Sequence, residues 1–203
     1  GLAFAARSAI KIGIRQVGHG TDVLVAPTRE VDQDRLVWAH GLGQLHRMGH
    51  GMAGRYLDAG FEVAVWNRSK PKAEDLIARG ARWAASPAEA ADDADAVVTM
   101  VADDEASRSV WLGENGAAAK MKADSLAIEC STVSHQHALD MARELRARGL
   151  IYIDCPVTGL PQAAAAGKLT LLVGAEPADR DRAKPYLAPL GDVVRHFGAV
   201  GTG

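Results

Sequence analysis

Four short stretches hold the residues whose types could do chemistry. Gly41-Leu42-Gly43 offers backbone N–H groups uncrowded by side chains, the usual means of cradling a phosphate. Asn67-Arg68-Ser69 sets an amide, a guanidinium and a hydroxyl side by side, all able to grip anionic oxygens. Met100-Val101-Ala102-Asp103 is small and apolar before its acid, and Ser131-Thr132 supplies two hydroxyls. The glycine signal is irregular. The dinucleotide fingerprint is G-x-G-x-x-G, whereas the first glycine past Gly43 is Gly49. A formal match stands at Gly49-His-Gly-Met-Ala-Gly54, but Gln44-Leu-His-Arg47 is a poor strand to precede it. Gly41-Leu42-Gly43 follows the apolar run Leu36-Val-Trp-Ala39 and so has the better context.

The rest of the chain divides into further strand–helix units that would carry those stretches. Residues 48–59 read as a helix closed by Gly60, and 61–66 as a second strand. Ser69 is placed to cap a helix from Pro71 to Gly80, followed by a short strand at 81–84. Ser86-Pro-Ala-Glu89 is a capping box, and 96–101 is a nearly continuous apolar strand of the kind covered on both faces. Asp103 or Asp104 caps a helix to Leu112. A strand at 125–130 and a helix from the Ser134 cap to Ala147 come next. Strands at 151–153, 169–173 and 193–197, with a helix at 177–187, complete the reading. The alternation predicts an α/β fold, a doubly wound Rossmann-type and mostly parallel sheet, over residues 36–203. In such sheets ligands bind beyond the C-terminal ends of the strands, and all four stretches stand at strand ends.

The second strand end bears on the cofactor. An NAD site places an acid there, about 20 residues past the glycines, to bond the ribose 2′-hydroxyl. Asn67 stands at that place, with Arg68 and Ser69 after it. Nothing there repels a 2′-phosphate, and a guanidinium and a hydroxyl could bind one, so the residues point to NADP over NAD. The plainer reading of Arg68 is a solvated turn residue.

Bulk properties set outer limits. The 203 residues carry 23 Lys and Arg against 25 Asp and Glu, a net charge of −2 that calls for no nucleic acid. No apolar run approaches the roughly 18 residues of a membrane span. Two cysteines, Cys130 and Cys155, make no disulfide framework and read as packing residues, so the cytoplasm is the expected compartment. Residues 1–35 form an extension of uncertain structure. Arg7, Lys11 and Arg15 give it a faint likeness to a leader, and 11–14 and 23–25 could be short strands.

Read in order, several segments carry a family resemblance. They are Gly41-Leu-Gly43, Met48-Gly-His-Gly-Met-Ala53, Val65-Trp-Asn-Arg68, Met100-Val-Ala-Asp103 and Glu129-Cys-Ser-Thr-Val-Ser134. Asp154-Cys-Pro-Val-Thr-Gly159, Gly167-Lys-Leu-Thr-Leu-Leu-Val-Gly174 and His196-Phe-Gly198 continue the series. Together they resemble the β-hydroxyacid dehydrogenase family, which includes 3-hydroxyisobutyrate dehydrogenase, tartronate semialdehyde reductase and glyoxylate reductase. The resemblance implies that Gly41, Leu42, Gly43, Met48 and Gly49 hold the pyrophosphate. By the same resemblance Asn67, Arg68 and Ser69 hold the 2′-phosphate, and Met100, Val101 and Ala102 line the path to the nicotinamide, with Thr132 near it. Ser131 and the Thr158-Gly159 turn would grip the carboxylate of a small 3-hydroxy acid. Strand-end and turn chemistry alone could also place those three residues there.

Two departures from the pattern stand out. About three extra residues, among Gln44 to Arg47, split the family's Gly-Leu-Gly-x-Met-Gly loop, and His40 replaces an apolar strand residue. The family's catalytic lysine follows the segment that ends here at Gly203, so no residue of this sequence is assigned catalysis. Neither Lys168 nor Lys184 is a substitute. The family's all-helical C-terminal domain, through which intact relatives would form homo-oligomers, is likewise not in the sequence. Two readings therefore stand: the cofactor domain of an NADP-dependent hydroxyacid dehydrogenase or reductase, or a truncated, non-catalytic module with weak or no binding. No metal site is expected, since His46/His50 and His135/His137 lack a third ligand at motif spacing. Gly167-Lys-Leu-Thr170 only imitates a phosphate loop, and no Tyr is followed four positions later by Lys.

Overall fold

An apolar run without alternation needs cover on both faces, and the central strand β4, Ala96–Met100, has it, with every residue buried. The computed structural model describes the backbone of residues 35–40 and 44–203 and the side chains from Arg47 onward. These residues belong to one compact unit, Gln33–Gly203. The Gly41-Leu42-Gly43 turn and the candidate strands at 11–14 and 23–25 lie outside the described residues.

β4 pairs in parallel with β1, Arg35–His40, on one side and with β5, Leu126–Glu129, on the other. Beyond β1 come β2, Glu62–Asn67, and β3, Arg82–Trp83, also parallel. Beyond β5 comes β6, Ile151–Asp154, again parallel. The register aligns the ends: His40 faces both Asn67 and Met100, while Glu129 faces both Thr99 and Asp154. Five strands thus finish along one edge, as the sequence pattern predicts.

Past β6 the sheet becomes mixed, which the periodicity does not foretell. The two-residue strand β7, Val157–Thr158, continues the line of β6 across Cys155 and Pro156. Strand β8, Thr170–Gly174, runs antiparallel to both in one register, Asp154 to Gly174, Val157 to Leu171 and Thr158 to Thr170. β9, Val193–Gly198, pairs in parallel with β8. β7 therefore projects beyond the edge where β5 and β6 stop, at roughly 3.3 Å per residue.

Helices cover both faces. α1, Gln44–Asp58, α2, Glu74–Ala78, and a 3-10 turn at Lys70–Ala73 lie over β1 and β2. Met52, Tyr56 and Leu76 from these helices pack with Val65, Val98 and Ile128 in one core layer. On the other face Trp111, Met141 and Leu145 pack with Ala64, Val97 and Ala127. The alternation along β5, Ile128 to one layer and Ala127 to the other, is the strand period of two. Cys130 and Cys155 are free and fully buried, as packing cysteines should be.

Three expected caps form. Ser86 accepts from the Glu89 N–H at 3.0 Å and opens α3, Pro87–Ala91. Asp103 accepts from Ala106 at 2.8 Å and opens α4, Asp104–Leu112. Ser134 accepts from His137 at 3.2 Å and opens α5, His135–Arg146. Ser69 does not cap: its side chain makes no such bond, and the segment after it is the 3-10 turn. α6, Pro161–Ala166, and α7, Pro177–Leu187, complete the helices. No helix among the described residues is long and apolar enough to cross a membrane.

α1 and α6 meet at Gly51, where a Cβ would stand 2.7 Å from the Ala165 backbone nitrogen. Gly51→Ala is expected to lower stability by about 1–3 kcal/mol, the cost of overpacking, in urea unfolding. An unchanged midpoint would contradict that contact.

Asp154 ties the end of β6 to the chain after β9, its Oδ2 accepting from Gly201 N and Gly203 N at 3.0 Å each. Burial pushes its carboxyl above the ordinary range, against the pull of those two N–H groups, and the nearby Glu129 charge adds to the rise. The folded state therefore favours the protonated acid. Its contribution is complete below the ordinary carboxylate value of about 4 and is lost as pH rises through the raised folded value. Asp154→Asn keeps an acceptor without ionising, so its stability should fall less than the unaltered chain's between pH 4 and 7. Parallel pH profiles for the two chains would contradict this.

Candidate functional site

The aligned strand ends make one crevice edge, and its residues differ sharply in exposure. Asn67, the last residue of β2, is 2% exposed. Its Oδ1 accepts from Ser69 N at 3.4 Å, while its Nδ2 is buried without a hydrogen-bond partner. A buried, unpartnered amide costs about 1–3 kcal/mol, so it marks a place where an acceptor oxygen is needed. Arg68 beside it is exposed, and Ser69 is half-buried. That donor set, a buried amide next to an exposed guanidinium, fits an anionic or hydroxyl-bearing group of a dinucleotide.

α1 begins a turn earlier than the sequence suggests, at Gln44 rather than near Met48. The extra residues of the split loop are absorbed as helix, because residues added at the N-terminus of α1 leave the buried face after them in place. Met48, Met52 and Tyr56 stay in the core. The N–H groups of Met48 and Gly49 then lie beyond the first four of the helix and point back along its axis to intrahelical carbonyls. The helical residues whose N–H groups lack an intrahelical partner are Gln44 to His46, directly after Gly43.

Met100 and Val101 are buried, and Ala102 is exposed. At the end of β5, Ser131 is fully buried, its Oγ accepting from Val101 N at 2.7 Å, while Thr132 is exposed. Thr158 and Gly159 are exposed on the projecting end of β7, so they stand past the edge rather than level with Ser131. Gly159 has φ 145°, and a Cβ there would meet Leu169 Cδ2 at 2.7 Å. That turn therefore requires glycine.

Sequence reasoning missed two features. One is a cleft of about 430 Å³ over the first turns of α1, lined by Arg47, His50, Lys72, Asp75 and Gln162 among others. His50 Nε2 lies 2.5 Å from Asp75 Oδ2. Burial pushes the Asp75 carboxyl up, but the His50 hydrogen bond and charge outweigh it and hold the acid below its ordinary range. The cleft is formed by segments far apart in sequence, so no spacing could announce it. The other is the carboxylate of Glu129. It is fully buried and accepts from Thr99 Oγ1 at 2.7 Å, Ser107 Oγ at 2.6 Å, Trp111 Nε1 at 2.9 Å and Ser131 N at 3.1 Å. An acid closing the apolar run Leu126-Ala-Ile128 was its one visible signal.

The fold and edge find matches among known proteins. Residues 40–198 match the family model described as the NAD binding domain of 6-phosphogluconate dehydrogenase. A probable mitochondrial 3-hydroxyisobutyrate dehydrogenase of Dictyostelium discoideum is 36% identical over 163 residues, 80% of this chain and 50% of that protein. The crystal structure of 3-hydroxyisobutyrate dehydrogenase from Salmonella typhimurium superposes with a TM-score of 0.77 at 32% identity, covering 84% of this chain and 59% of that one. A structure described as Psf3 in complex with NADP+ and 2-OPP superposes with a TM-score of 0.75 at 28% identity, covering 82% of this chain and 57% of that one. The chain spans about half the length of the curated relatives it matches. On its motifs, its sheet and these matches, the chain belongs to the family described as the NAD binding domain of 6-phosphogluconate dehydrogenase, and it resembles the 3-hydroxyisobutyrate dehydrogenase-like NAD(P)-binding oxidoreductases.

Proposed function

We propose that this chain is the NADP(H)-binding part of an enzyme that transfers hydride between that cofactor and a small 3-hydroxy acid or semialdehyde. The observation that carries the reading is the buried, unpartnered Asn67 amide beside the exposed Arg68. Arg68 would pair with the adenosine 2′-phosphate, Ser69 would donate its hydroxyl, and Asn67 would give its orphaned N–H to a ribose or phosphate oxygen. No carboxylate stands in Asn67-Arg68-Ser69 to favour a free 2′-hydroxyl.

The pyrophosphate would rest on Gly41, Leu42 and Gly43 and on the free N–H groups that open α1. Met48 and Gly49 would support that turn from within the helix. Met100, Val101 and Ala102 would line the path toward the nicotinamide, which when bound supplies or accepts the hydride. Thr132 would lie near it. Thr158 and the Gly159 backbone would orient the substrate carboxylate from above the edge, with Ser131 fixing the strand end beneath. Orientation of a small acid by preformed donors is this chain's part of the chemistry.

A second reading draws on one observation. α1 opens at Gln44, so the helical N–H groups offered to a phosphate come from Gln44 to His46 and not from the family's Met48 and Gly49. On that reading the chain is a non-catalytic module with weak cofactor binding.

Arg68→Gln separates the proposal from general loss of binding. A charge-assisted bond of about 1.5–3 kcal/mol predicts a drop of roughly tenfold or more in NADPH affinity, with NADH affinity unchanged, in fluorescence titrations. Equal losses for both cofactors would contradict the role given to Arg68.

A further inference from the structure

We propose that Glu129 is a positioning residue of the crevice, fixing the ends of β4 and β5 on which the nicotinamide half of the cofactor would lie. The inference rests on the cofactor reading above. Its basis is the set of four bonds that converge on one fully buried carboxylate. All four partners can donate to it, and two of them, the Trp111 indole N–H and the Ser131 backbone N–H, can only donate. Among the described residues no cation bonds it: the donors are two hydroxyls, an indole N–H and a backbone N–H. A charge buried without a counter-ion is costly, and an apolar side chain of similar size would fill the layer as well. Core packing therefore does not explain the acid.

Its connections do. Oε1 takes the Thr99 hydroxyl from β4 and the Ser131 N–H from the residue after Cys130. Ser131 Oγ in turn takes the Val101 N–H, so Glu129 and Ser131 together lock the first residue past β4 and the second past β5. Oε2 takes the Ser107 hydroxyl and the Trp111 indole, anchoring the same carboxylate to α4. Ser107 Oγ also lies 3.0 Å from His137 Nε2, which extends the network to α5. Among the described residues the network spans β4, β5, α4 and α5 and reaches the crevice edge through Val101 and Ser131. Asn67, Arg68 and Ser69, at the end of β2, take no part in it. The two halves of the cofactor would therefore be held by separate devices.

That separation gives the test. The full chain and its Glu129→Gln variant are titrated with NADP+ and with adenosine 2′,5′-bisphosphate, which carries only the adenosine end. Gln must turn its amide N–H₂ toward either the Trp111 N–H or the Ser131 N–H, leaving one of them unpaired. The expected result is a loss of about tenfold for NADP+ with the bisphosphate unchanged. Thr99→Val, which removes one donor and orphans none of the others, should show a smaller loss with the same selectivity and serves if the first variant does not fold. Unchanged NADP+ binding in both variants, or equal losses for both ligands, would overturn the positioning role. An unaltered chain that binds the bisphosphate as tightly as NADP+ would overturn it too, while leaving the 2′-phosphate site standing. Binding of neither ligand by the unaltered chain would refute the cofactor reading itself, and the positioning role with it.

Discussion

Parallel strands ending in register are the constraint on which the rest of the structure depends. Each βαβ crossover must be right-handed and must return the chain to the same starting edge, so the opposite edge collects every strand end. Here that edge brings His40, Asn67, Met100, Glu129 and Asp154 into one line. Residues scattered along more than a hundred positions of sequence become neighbours for that reason alone. β7 and β8 modify the edge rather than extend it. By continuing β6 outward and pairing antiparallel with β8, β7 raises Thr158 and Gly159 above the line and leads into α6, which packs back on α1.

Two kinds of polar group occupy the edge, and they are handled oppositely. Glu129 is fully satisfied, its carboxylate meeting four donors inside the sheet and helix layers. Asn67 is left short of a partner on Nδ2, although it is almost as deeply buried. A satisfied buried network rigidifies what it touches, whereas an unsatisfied buried donor calls for a partner from outside the described residues. The first belongs to the frame of the crevice, the second to the end of β2, where the proposal puts the adenosine half of the cofactor.

Much of this was legible in the residues. The unbroken run Ala96–Met100 and the caps at Ser86, Asp103 and Ser134 are local signals, and each formed as its chemistry requires. The strand ends were legible because parallel topology fixes where they go. The reading failed where nearby residues do not decide. Ser69 has a capping side chain, yet the backbone after it takes a 3-10 turn, with Pro71 in its first positions. Gln44 to Arg47 read as an insertion in a loop, but joining a helix costs them little, since Met48, Met52 and Tyr56 keep their buried face. β7 and α6 were missed because two residues give no periodicity and an alanine run no amphipathic stripe. The Glu129 network and the α1 cleft need tertiary contacts, which no single segment encodes.

The central claim is that the end of β2 selects a 2′-phosphorylated dinucleotide. Fluorescence titration of the unaltered chain with NADPH and NADH, at one ionic strength, tests it most directly. The account predicts saturable binding of both, with NADPH the tighter by roughly tenfold, the worth of about one charge-assisted contact. Equal or tighter binding of NADH, or no binding of either, would contradict it.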